Sequence, residues 1–286
     1  KEYDRTTTAT ISGATLSGVL AGDAGQVTLS GDTVGTFDQR QVGTGIGVTT
    51  AMTLTGAKAG NYSLTQPAGL TANITAKALT VTGTTAGKTY DGTTTAPLTG
   101  ATLQGVISGD TVTLGNASSG IFVTEQAGTG IAVTTSFTLL GADKDNYTVN
   151  QPALSGDIAK KTLTISGATV TSKPYDGNQT ATVSGGTLVG VVGSDDVNLD
   201  DSAAAGTFDT KNAGSGKAVT VTGYAITGTD IANYDLTQPA PTGAITALAL
   251  NVTGAVAADK TYDGTDAAVV SGAVLDVSGV IGGDTV

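Results

Sequence analysis

The feature that most restricts the fold is a nine-residue segment that the chain repeats four times at nearly constant intervals. The copies read KEYDRTTTA, KTYDGTTTA, KPYDGNQTA and KTYDGTDAA, and they begin at Lys1, Lys88, Lys173 and Lys260. Their spacings of 87, 85 and 87 residues are longer than a solenoid unit, which runs about 20–45 residues. Such a period suits a small domain with its own core, so we predict tandem domains.

Five further landmarks recur in the same order between these copies. They are GVLAGD, GTF, GTGIGVT, NYSLTQP and ITAKALTVTG, which begin in the first copy at Gly18, Gly35, Gly43, Asn61 and Ile74. On this alignment, residues 1–77 form a repeat that lacks its first strand, residues 78–160 and 161–247 form complete repeats, and residues 248–286 form a partial repeat. Because residue 1 already lies inside the repeated motif, we expect the chain to be a segment of a longer protein.

Alternation of apolar and polar residues indicates strands in every repeat. In LTVTG, Leu79 and Val81 alternate with threonine, and IAVTTSFTLLG from Ile131 is a longer run of the same kind. The Gly-Asp pair at 109–110 is typical of a tight hairpin turn between two apolar runs. Thr and Val suit a pleated surface, and no apolar stripe has helical spacing. The sequence therefore predicts an all-β protein made of tandem antiparallel β-sandwich (Ig-like) repeats.

The junctions between repeats contain no flexible spacer. Ile158 and Leu163 are separated only by Ala-Lys-Lys-Thr, and the other two junctions are equally short. Linkers that permit bending are rich in Gly and Ser. We therefore expect the last strand of one repeat to run directly into the next, giving an elongated, semi-rigid rod in which each repeat adds roughly 30–40 Å.

The Tyr-Asp-Gly segment has the composition of an anchored turn. Asp can accept from backbone amides two residues on, Gly can take a positive φ, and Tyr can bury its ring with its hydroxyl near the surface. In the first copy Arg5 replaces the glycine, so either a positive φ is not required there or the first repeat is strained. We assign a structural role to the motif residues Tyr3, Asp4, Tyr90, Asp91, Gly92, Tyr175, Asp176, Gly177, Tyr262, Asp263 and Gly264.

Composition argues against several functional classes. The chain has no His and no Cys, and its only glutamates are Glu2 and Glu125, so we expect neither an enzyme nor a bound cofactor. Its net charge of −11 disfavours nucleic acid as a partner. No apolar run approaches the roughly 18 residues of a membrane span.

Three binding or modification hypotheses remain open at this point. A cluster of carboxylates in the third repeat could hold calcium or could form a solvated loop; its members are Asp195, Asp196, Asp200 and Asp201. Asp, Asn and Tyr side chains could bind sugar hydroxyls, although Trp, the best stacking surface, is absent. Lys88 and Asn146 in the second repeat occupy the same positions as Lys173 and Asn233 in the third, and each pair could form an isopeptide crosslink.

The spaced set KTYDG, GDTV and NYxLTQP resembles the YDG repeats of large bacterial surface proteins, and the resemblance covers the whole chain. Such repeats occur in filamentous-haemagglutinin-like adhesins and biofilm matrix proteins, many of them exported by two-partner secretion. The resemblance implies an extracellular location, at the bacterial cell surface or in the biofilm matrix, and an adhesive or scaffolding role. It implies no catalytic residues.

On this basis we expect a non-enzymatic stalk or spacer of an adhesin or matrix protein, whose tandem modules present or crosslink a binding region. The expected partners are other copies of the chain, or cell-surface or matrix polysaccharide or protein. One alternative is a module that binds exopolysaccharide. Another is a filament subunit that assembles by strand addition between chains.

Overall fold

A computed structural model describes residues 1–286 and contains 32 short β-strands, five single-turn 3-10 helices and no α-helix. The predicted all-β class is therefore confirmed. The sheets are small and curled or barrel-like, and they do not clearly form the predicted Ig-like sandwiches. The chain forms two compact units, Lys1–Lys88 with Thr93–Ile158, and Thr89–Gly92 with Ala159–Val286.

The strands of the first unit come from two successive repeats. Those of the first repeat are β1 (Thr8–Thr10), β2 (Thr28–Ser30), β3 (Val34–Phe37), β4 (Gly43–Thr50), β5 (Thr53–Thr55) and β6 (Thr71–Ile74). Those of the second are β7 (Lys77–Thr82), β8 (Thr85–Thr89), β9 (Thr95–Thr99), β10 (Thr102–Gln104), β11 (Thr113–Gly115), β12 (Ser119–Phe122), β13 (Gly128–Thr134), β14 (Thr138–Leu140), β15 (Tyr147–Val149) and β16 (Leu154–Ala159). Single 3-10 turns span Ala21–Asp23, Ala59–Asn61 and Lys144–Asn146.

The second unit contains the third repeat and the partial fourth repeat. Its first twelve strands are β17 (Lys161–Ser166), β18 (Thr169–Val170), β19 (Lys173–Pro174), β20 (Thr180–Ala181), β21 (Val183–Ser184), β22 (Thr187–Val189), β23 (Asn198–Asp200), β24 (Ala205–Phe208), β25 (Gly214–Thr222), β26 (Ala225–Thr227), β27 (Tyr234–Leu236) and β28 (Thr242–Thr246). Residues 248–286 add β29 (Val252–Thr253), β30 (Val256–Ala257), β31 (Val270–Ser271) and β32 (Val274–Leu275). Two 3-10 turns span Ile231–Asn233 and Val277–Gly279.

One sheet of each repeat curls towards a barrel. In the second repeat, β12, β13, β16, β8 and β9 close completely, while β1-β3-β4-β6 and β19-β28-β25-β24-β20 form its open counterparts in the first and third. The Gly-Thr-Gly segment begins the longest strand of the repeat, and the pairing register shifts there. In the second repeat, β13 shifts its register against β16 between Gly128 and Ile131. Gly130 adopts φ 65° there, so glycine permits the irregularity that bends the strand.

A smaller three-stranded sheet accompanies each complete repeat, in the orders β10-β7-β15 and β22-β17-β27. One pairing in each is parallel: Tyr147 lies opposite Lys77, and Tyr234 lies opposite Lys161. The predicted antiparallel pairing is therefore wrong for these two pairs of strands. The landmark Asn-Tyr segment packs beside the first strand of its own repeat in the same direction.

Two local predictions also fail. The Gly-Asp turn at 109–110 does not close a hairpin, because β10 pairs with β7 while β11 pairs with β14. The run from Ile131 does not form one strand, since it divides into β13 and β14 around residues 135–137. In both places the chain passes from one sheet to another, which local alternation does not reveal.

The junctions between the first and second repeats and between the second and third repeats are as short as predicted. Only Thr75 and Ala76 separate β6 from β7, and only Lys160 separates β16 from β17. The main core of the first unit spans the boundary: Tyr3, Phe37 and Ile74 precede it, whereas Leu79 and Tyr147 follow it. The expectation that each repeat has a core of its own is therefore wrong in this unit. The predicted domain limits themselves stay a prediction.

Candidate interaction site: a repeated tyrosine–aspartate cluster

In the first unit, two tyrosine hydroxyls converge on one buried carboxylate. Tyr3 donates to Asp110 Oδ2 over 3.0 Å, and Tyr147 donates to the same oxygen over 2.6 Å. The two rings meet edge to face, with centroids 5.4 Å apart. The Asp110 side chain is only 1% exposed, and Arg5 Nε lies 2.9 Å from its Oδ1 as an ion pair without hydrogen-bond alignment. We call two tyrosines around one such aspartate a tyrosine–aspartate cluster.

The second unit contains the same cluster. Tyr90 donates to Asp195 Oδ2 over 2.8 Å, and Tyr234 donates to that oxygen over 2.6 Å. The rings again meet edge to face, at 5.4 Å between centroids. The Val192 amide in turn donates to the Tyr234 hydroxyl over 2.9 Å. In both clusters one tyrosine comes from a Tyr-Asp-Gly motif, while the aspartate and the other tyrosine come from the next repeat.

Two further sites hold one tyrosine and one aspartate. Tyr62 donates to Asp23 Oδ2 over 2.9 Å in the first repeat. Tyr175 and Asp284 lie together in the second unit, and the neighbouring Asp284 carboxylate raises the pKa of Tyr175. The first of these sites has no tyrosine from a Tyr-Asp-Gly motif. The second has no tyrosine from an Asn-Tyr landmark.

Burial and hydrogen bonding keep the cluster tyrosines protonated. Burial, followed by the hydrogen bond to the aspartate, raises the pKa of Tyr147 and of Tyr234 to about 12. The same causes raise the pKa of Tyr3. At neutral pH each hydroxyl therefore acts as a hydrogen-bond donor. A closed set of donors and acceptors of this kind is suited to joining segments rather than to proton transfer.

A backbone hydrogen bond positions the tyrosine of the motif in the first three copies. The amides of Tyr3, Tyr90 and Tyr175 donate to the carbonyls of Thr75, Ala159 and Thr246 over 2.9, 2.8 and 2.9 Å. These carbonyls belong to the Ile-Thr-Ala landmark that ends the same repeat. The motif is therefore held beside the last strand of its repeat, where the tyrosine ring reaches the next one.

The aspartate of the motif closes the turn. Asp4 Oδ1 accepts from Lys1 Nζ over 2.6 Å and from the Thr6 amide over 2.9 Å. Burial alone would raise the pKa of Asp4, but these bonds outweigh it and lower that pKa to about 2. Asp176 and Asp263 accept in the same way from their lysines, Lys173 and Lys260, over 2.8 and 2.9 Å. Asp91 is exposed in the equivalent turn, where Lys88 Nζ donates to the carbonyl and hydroxyl of Thr93.

The glycine position requires a left-handed backbone in all four copies. Gly92, Gly177 and Gly264 have φ of 72°, 78° and 74°, and Arg5 adopts φ 70° in their place. The first repeat is therefore the strained one, as one of the two alternatives for Arg5 proposed. A Cβ on Gly92 would also lie 3.0 Å from Val192 Cγ1, and one on Gly177 would lie 2.7 Å from Ile281 Cγ2. Glycine thus permits both the turn and a close approach to the next repeat.

The fourth copy of the motif forms the turn without the cluster. Asp263 Oδ1 accepts from the amide and the hydroxyl of Thr265, both over 3.0 Å. The side chain of Tyr262, however, is 93% exposed. The turn is therefore intrinsic to the local sequence, whereas burial of the tyrosine depends on packing against residues that are distant in sequence.

The other predicted sites do not assemble. Three of the four carboxylates of the third repeat have separate partners: Asp195 accepts from tyrosines, Asp196 from Thr229 and Asn198, and Asp200 from Ser202. No group of three or more acidic side chains in residues 1–286 converges as metal ligands do. Lys173 Nζ bonds to Asp176 and Asn178, so it is not placed for an isopeptide bond with Asn233.

Sequence reasoning missed the aspartates of the clusters and a recurring glutamine. Gln66, Gln151 and Gln238, from the Gln-Pro pair of the NYSLTQP landmark, each bind a backbone segment through both side-chain amide atoms. In the first repeat, the Met52 amide donates to Gln66 Oε1 over 3.0 Å and Gln66 Nε2 donates to the Met52 carbonyl over 2.7 Å. The available signal was the recurrence of the last aspartate of the GVLAGD landmark and of the Gln-Pro pair of the NYSLTQP landmark in every alignable copy.

No helix in the structure is long and apolar enough to cross a membrane. A comparison with curated proteins and a comparison with solved structures each gave no match. A family model described as the YDG domain matches three segments, residues 1–69, 75–154 and 159–242. These matches cover most of the 286 residues, and the chain therefore belongs to the YDG-domain family.

Proposed function

We propose that this chain is a non-enzymatic stalk or spacer of a bacterial extracellular adhesin or biofilm matrix protein. Its Ig-like modules form an elongated rod that presents or crosslinks a binding region. The observation that supports this role best is the tyrosine–aspartate cluster, in which the same motif of two different repeats contacts the repeat after it.

The cluster supports a mechanical role because it adds long-range bonds at a junction that is already short. A stalk needs each module fixed to its neighbour, and a direct strand connection without Gly or Ser limits bending. Two hydroxyls on one buried carboxylate add charge-assisted hydrogen bonds, which are stronger than neutral ones. The core shared by residues on both sides of the first boundary adds apolar burial to the same junction.

Direct glycan binding has less support from the positions of the tyrosines. Seven of the eight have their hydroxyl against a partner within the chain, and only Tyr262 presents a largely free ring. Sugar recognition usually relies on exposed aromatic faces with polar groups around them. We therefore place the recognition of polysaccharide or protein in other parts of the assembly.

Small-angle X-ray scattering of the 286-residue chain tests the proposal. A rod in which each repeat adds roughly 30–40 Å has a radius of gyration of about 30 Å or more. A compact globule of this length has a radius of gyration of about 19 Å. A value near 19 Å would contradict a spacer role. A value of about 30 Å with a narrow distribution of maximum dimensions would support it.

A further inference from the structure

Three copies of the motif place a glycine directly after the aspartate, at 91–92, 176–177 and 263–264. Asp-Gly is the dipeptide in which a backbone nitrogen most readily attacks the side chain before it, because glycine has no Cβ to hinder the approach. In the first copy, Arg5 follows Asp4. The chain therefore contains the reactive dipeptide together with a matched copy in which a side chain hinders the same attack.

The two reacting groups are accessible in the third and fourth copies. The side chains of Asp176 and Asp263 are 44% and 55% exposed, so water reaches both carboxyl groups. The amides of Gly177 and Gly264 donate no hydrogen bond within the chain. No bond therefore holds either glycine nitrogen away from the carboxyl group that precedes it.

Isomerisation at an Asp-Gly bond is a ring closure followed by hydrolysis. The glycine nitrogen bonds to the aspartate Cγ, the bond from Cγ to one carboxyl oxygen breaks, and one water molecule leaves to give a five-membered succinimide. Water then opens the ring at Cγ, which restores aspartate, or at the backbone carbonyl, which leaves isoaspartate. The closure proceeds from the neutral carboxylic acid, because a carboxylate does not readily lose an oxygen.

The motif lysine opposes this closure at both sites. Lys173 Nζ donates to Asp176 Oδ1 over 2.8 Å, and the Asn178 amide donates to the same oxygen over 3.1 Å. The bond from Lys173, followed by that from the amide, holds the pKa of Asp176 below its ordinary value. Lys260 Nζ donates to Asp263 Oδ1 in the same way, over 2.9 Å. Each lysine therefore favours the unreactive carboxylate and fixes its orientation.

We propose that the Asp-Gly bonds at 176–177 and 263–264 are sites of spontaneous isomerisation to isoaspartate, and that Lys173 and Lys260 slow the reaction by holding each carboxylate. Isoaspartate adds one atom to the main chain and removes one from the side chain, so the hydrogen bond to the amide two residues on is lost. The modification thus undoes the turn that holds the motif tyrosine. The inference does not depend on the stalk proposal, because the chemistry is the same in a rod and in a compact chain.

Incubation of the full 286-residue chain at neutral pH, followed by peptide mapping with electron-transfer fragmentation, measures isoaspartate at each site. A synthetic peptide of residues 261–266, TYDGTD, lacks the lysine and serves as the reference. We expect isoaspartate at Asp176 and Asp263, formed more slowly than in the peptide, and none at Asp4. Absence of isoaspartate at both sites after most of the peptide has isomerised would overturn the proposal, and so would rates equal to that of the peptide.

Variants of one lysine test the protection. Lys173→Met removes the charge but keeps a long side chain near the Phe208 ring. It should accelerate isoaspartate formation at Asp176 severalfold without changing the rate at Asp263 in the same molecule. Lys173→Arg keeps the charge and should stay close to the unaltered rate, as should the control Lys160→Met, which removes a lysine outside the motif. Equal rates at Asp176 in Lys173→Met and in the unaltered chain would overturn the proposal.

Two further variants distinguish this effect from a general loss of folding. Lys260→Met lies in a turn whose tyrosine is 93% exposed, so it cannot act by opening a core, and it should accelerate the reaction at Asp263 alone. Arg5→Gly completes the reactive dipeptide in the first copy and should introduce isoaspartate at Asp4. Acceleration at every site by a single lysine variant would overturn the proposal, as would a first copy that stays unmodified in Arg5→Gly.

Discussion

The hydroxyl of Tyr90 donates to Asp195 Oδ2 over 2.8 Å, although 105 positions separate the two residues in sequence. Tyr3 and Asp110 form the same bond over 3.0 Å with a separation of 107 positions. Each separation exceeds the repeat period by about 20 residues, which places the aspartate in the following repeat. The tyrosine of the motif in one repeat thus finds its partner in the next repeat, and this gives the Tyr-Asp-Gly segment its structural role.

Removal of one cluster hydroxyl should destabilise the first unit measurably. Tyr3→Phe keeps the buried ring but leaves the Asp110 carboxylate with one donor fewer in a site that is 1% exposed. We expect a loss of about 1–3 kcal/mol in the free energy of unfolding, measured by urea denaturation. Tyr262→Phe is the matched control, because that ring is 93% exposed, and it should change nothing. Equal effects of the two substitutions would contradict the role of the cluster.

Arg5 combines a strained backbone with an ion pair, and two substitutions separate these effects. Arg5→Gly and Arg5→Ala both remove the contact between Arg5 and Asp110, but only alanine retains the steric cost of φ 70°. We expect the glycine variant to be about 1 kcal/mol more stable than the alanine variant in thermal or urea unfolding. Equal stabilities would show that the turn relaxes to a negative φ when Arg5 is removed.

The raised tyrosine pKa values predict a loss of stability at alkaline pH. Tyr147 and Tyr234 have pKa values of about 12 in the folded chain, against 10.0 for an ordinary tyrosine. Their contribution is therefore complete below pH 10 and is lost as pH rises towards 12, because the unfolded chain releases these protons first. Urea unfolding at a series of pH values should show this decline. In the Tyr147→Phe variant the decline should be smaller, so that its stability approaches that of the unaltered chain above pH 10.

The glutamine clamp should be sensitive to a change of one atom. Gln66→Glu preserves size but replaces the donor to the Met52 carbonyl with an acceptor, so two oxygens would face each other at a distance now 2.7 Å. We expect a loss of about 1–3 kcal/mol in unfolding free energy. Gln41→Glu introduces the same charge on an exposed side chain and serves as the control. A stability equal to that of the control would show that the clamp contributes nothing.

The local features of this fold could be read from the sequence. Alternation predicted β7 around Leu79, and the chemistry of Asp and Gly predicted a turn at the motif. These features depend on neighbouring residues, so single-sequence reasoning reaches them. The repeat period was visible because the landmarks keep their order over the whole chain.

The contacts that give the motif its role were not predictable in the same way. Nothing near Asp110 in sequence indicates that its carboxylate receives Tyr3, because the bond forms only after two repeats fold beside each other. The parallel pairing of Tyr147 with Lys77 was missed for the same reason. The Gly-Asp pair was interpreted as a hairpin because glycine and aspartate favour turns of several kinds, and only the sheet partners distinguish them.

A double-mutant cycle on Tyr90 and Asp195 tests the central claim most directly. The free energies of unfolding of the unaltered chain, Tyr90→Phe, Asp195→Ala and the double variant give the coupling between the two side chains, with Tyr90→Phe and Asp266→Ala as a non-contacting control pair. We predict a coupling of about 1 kcal/mol or more for Tyr90 with Asp195, and additivity within about 0.5 kcal/mol for the control. Additive effects of Tyr90→Phe and Asp195→Ala would contradict the account.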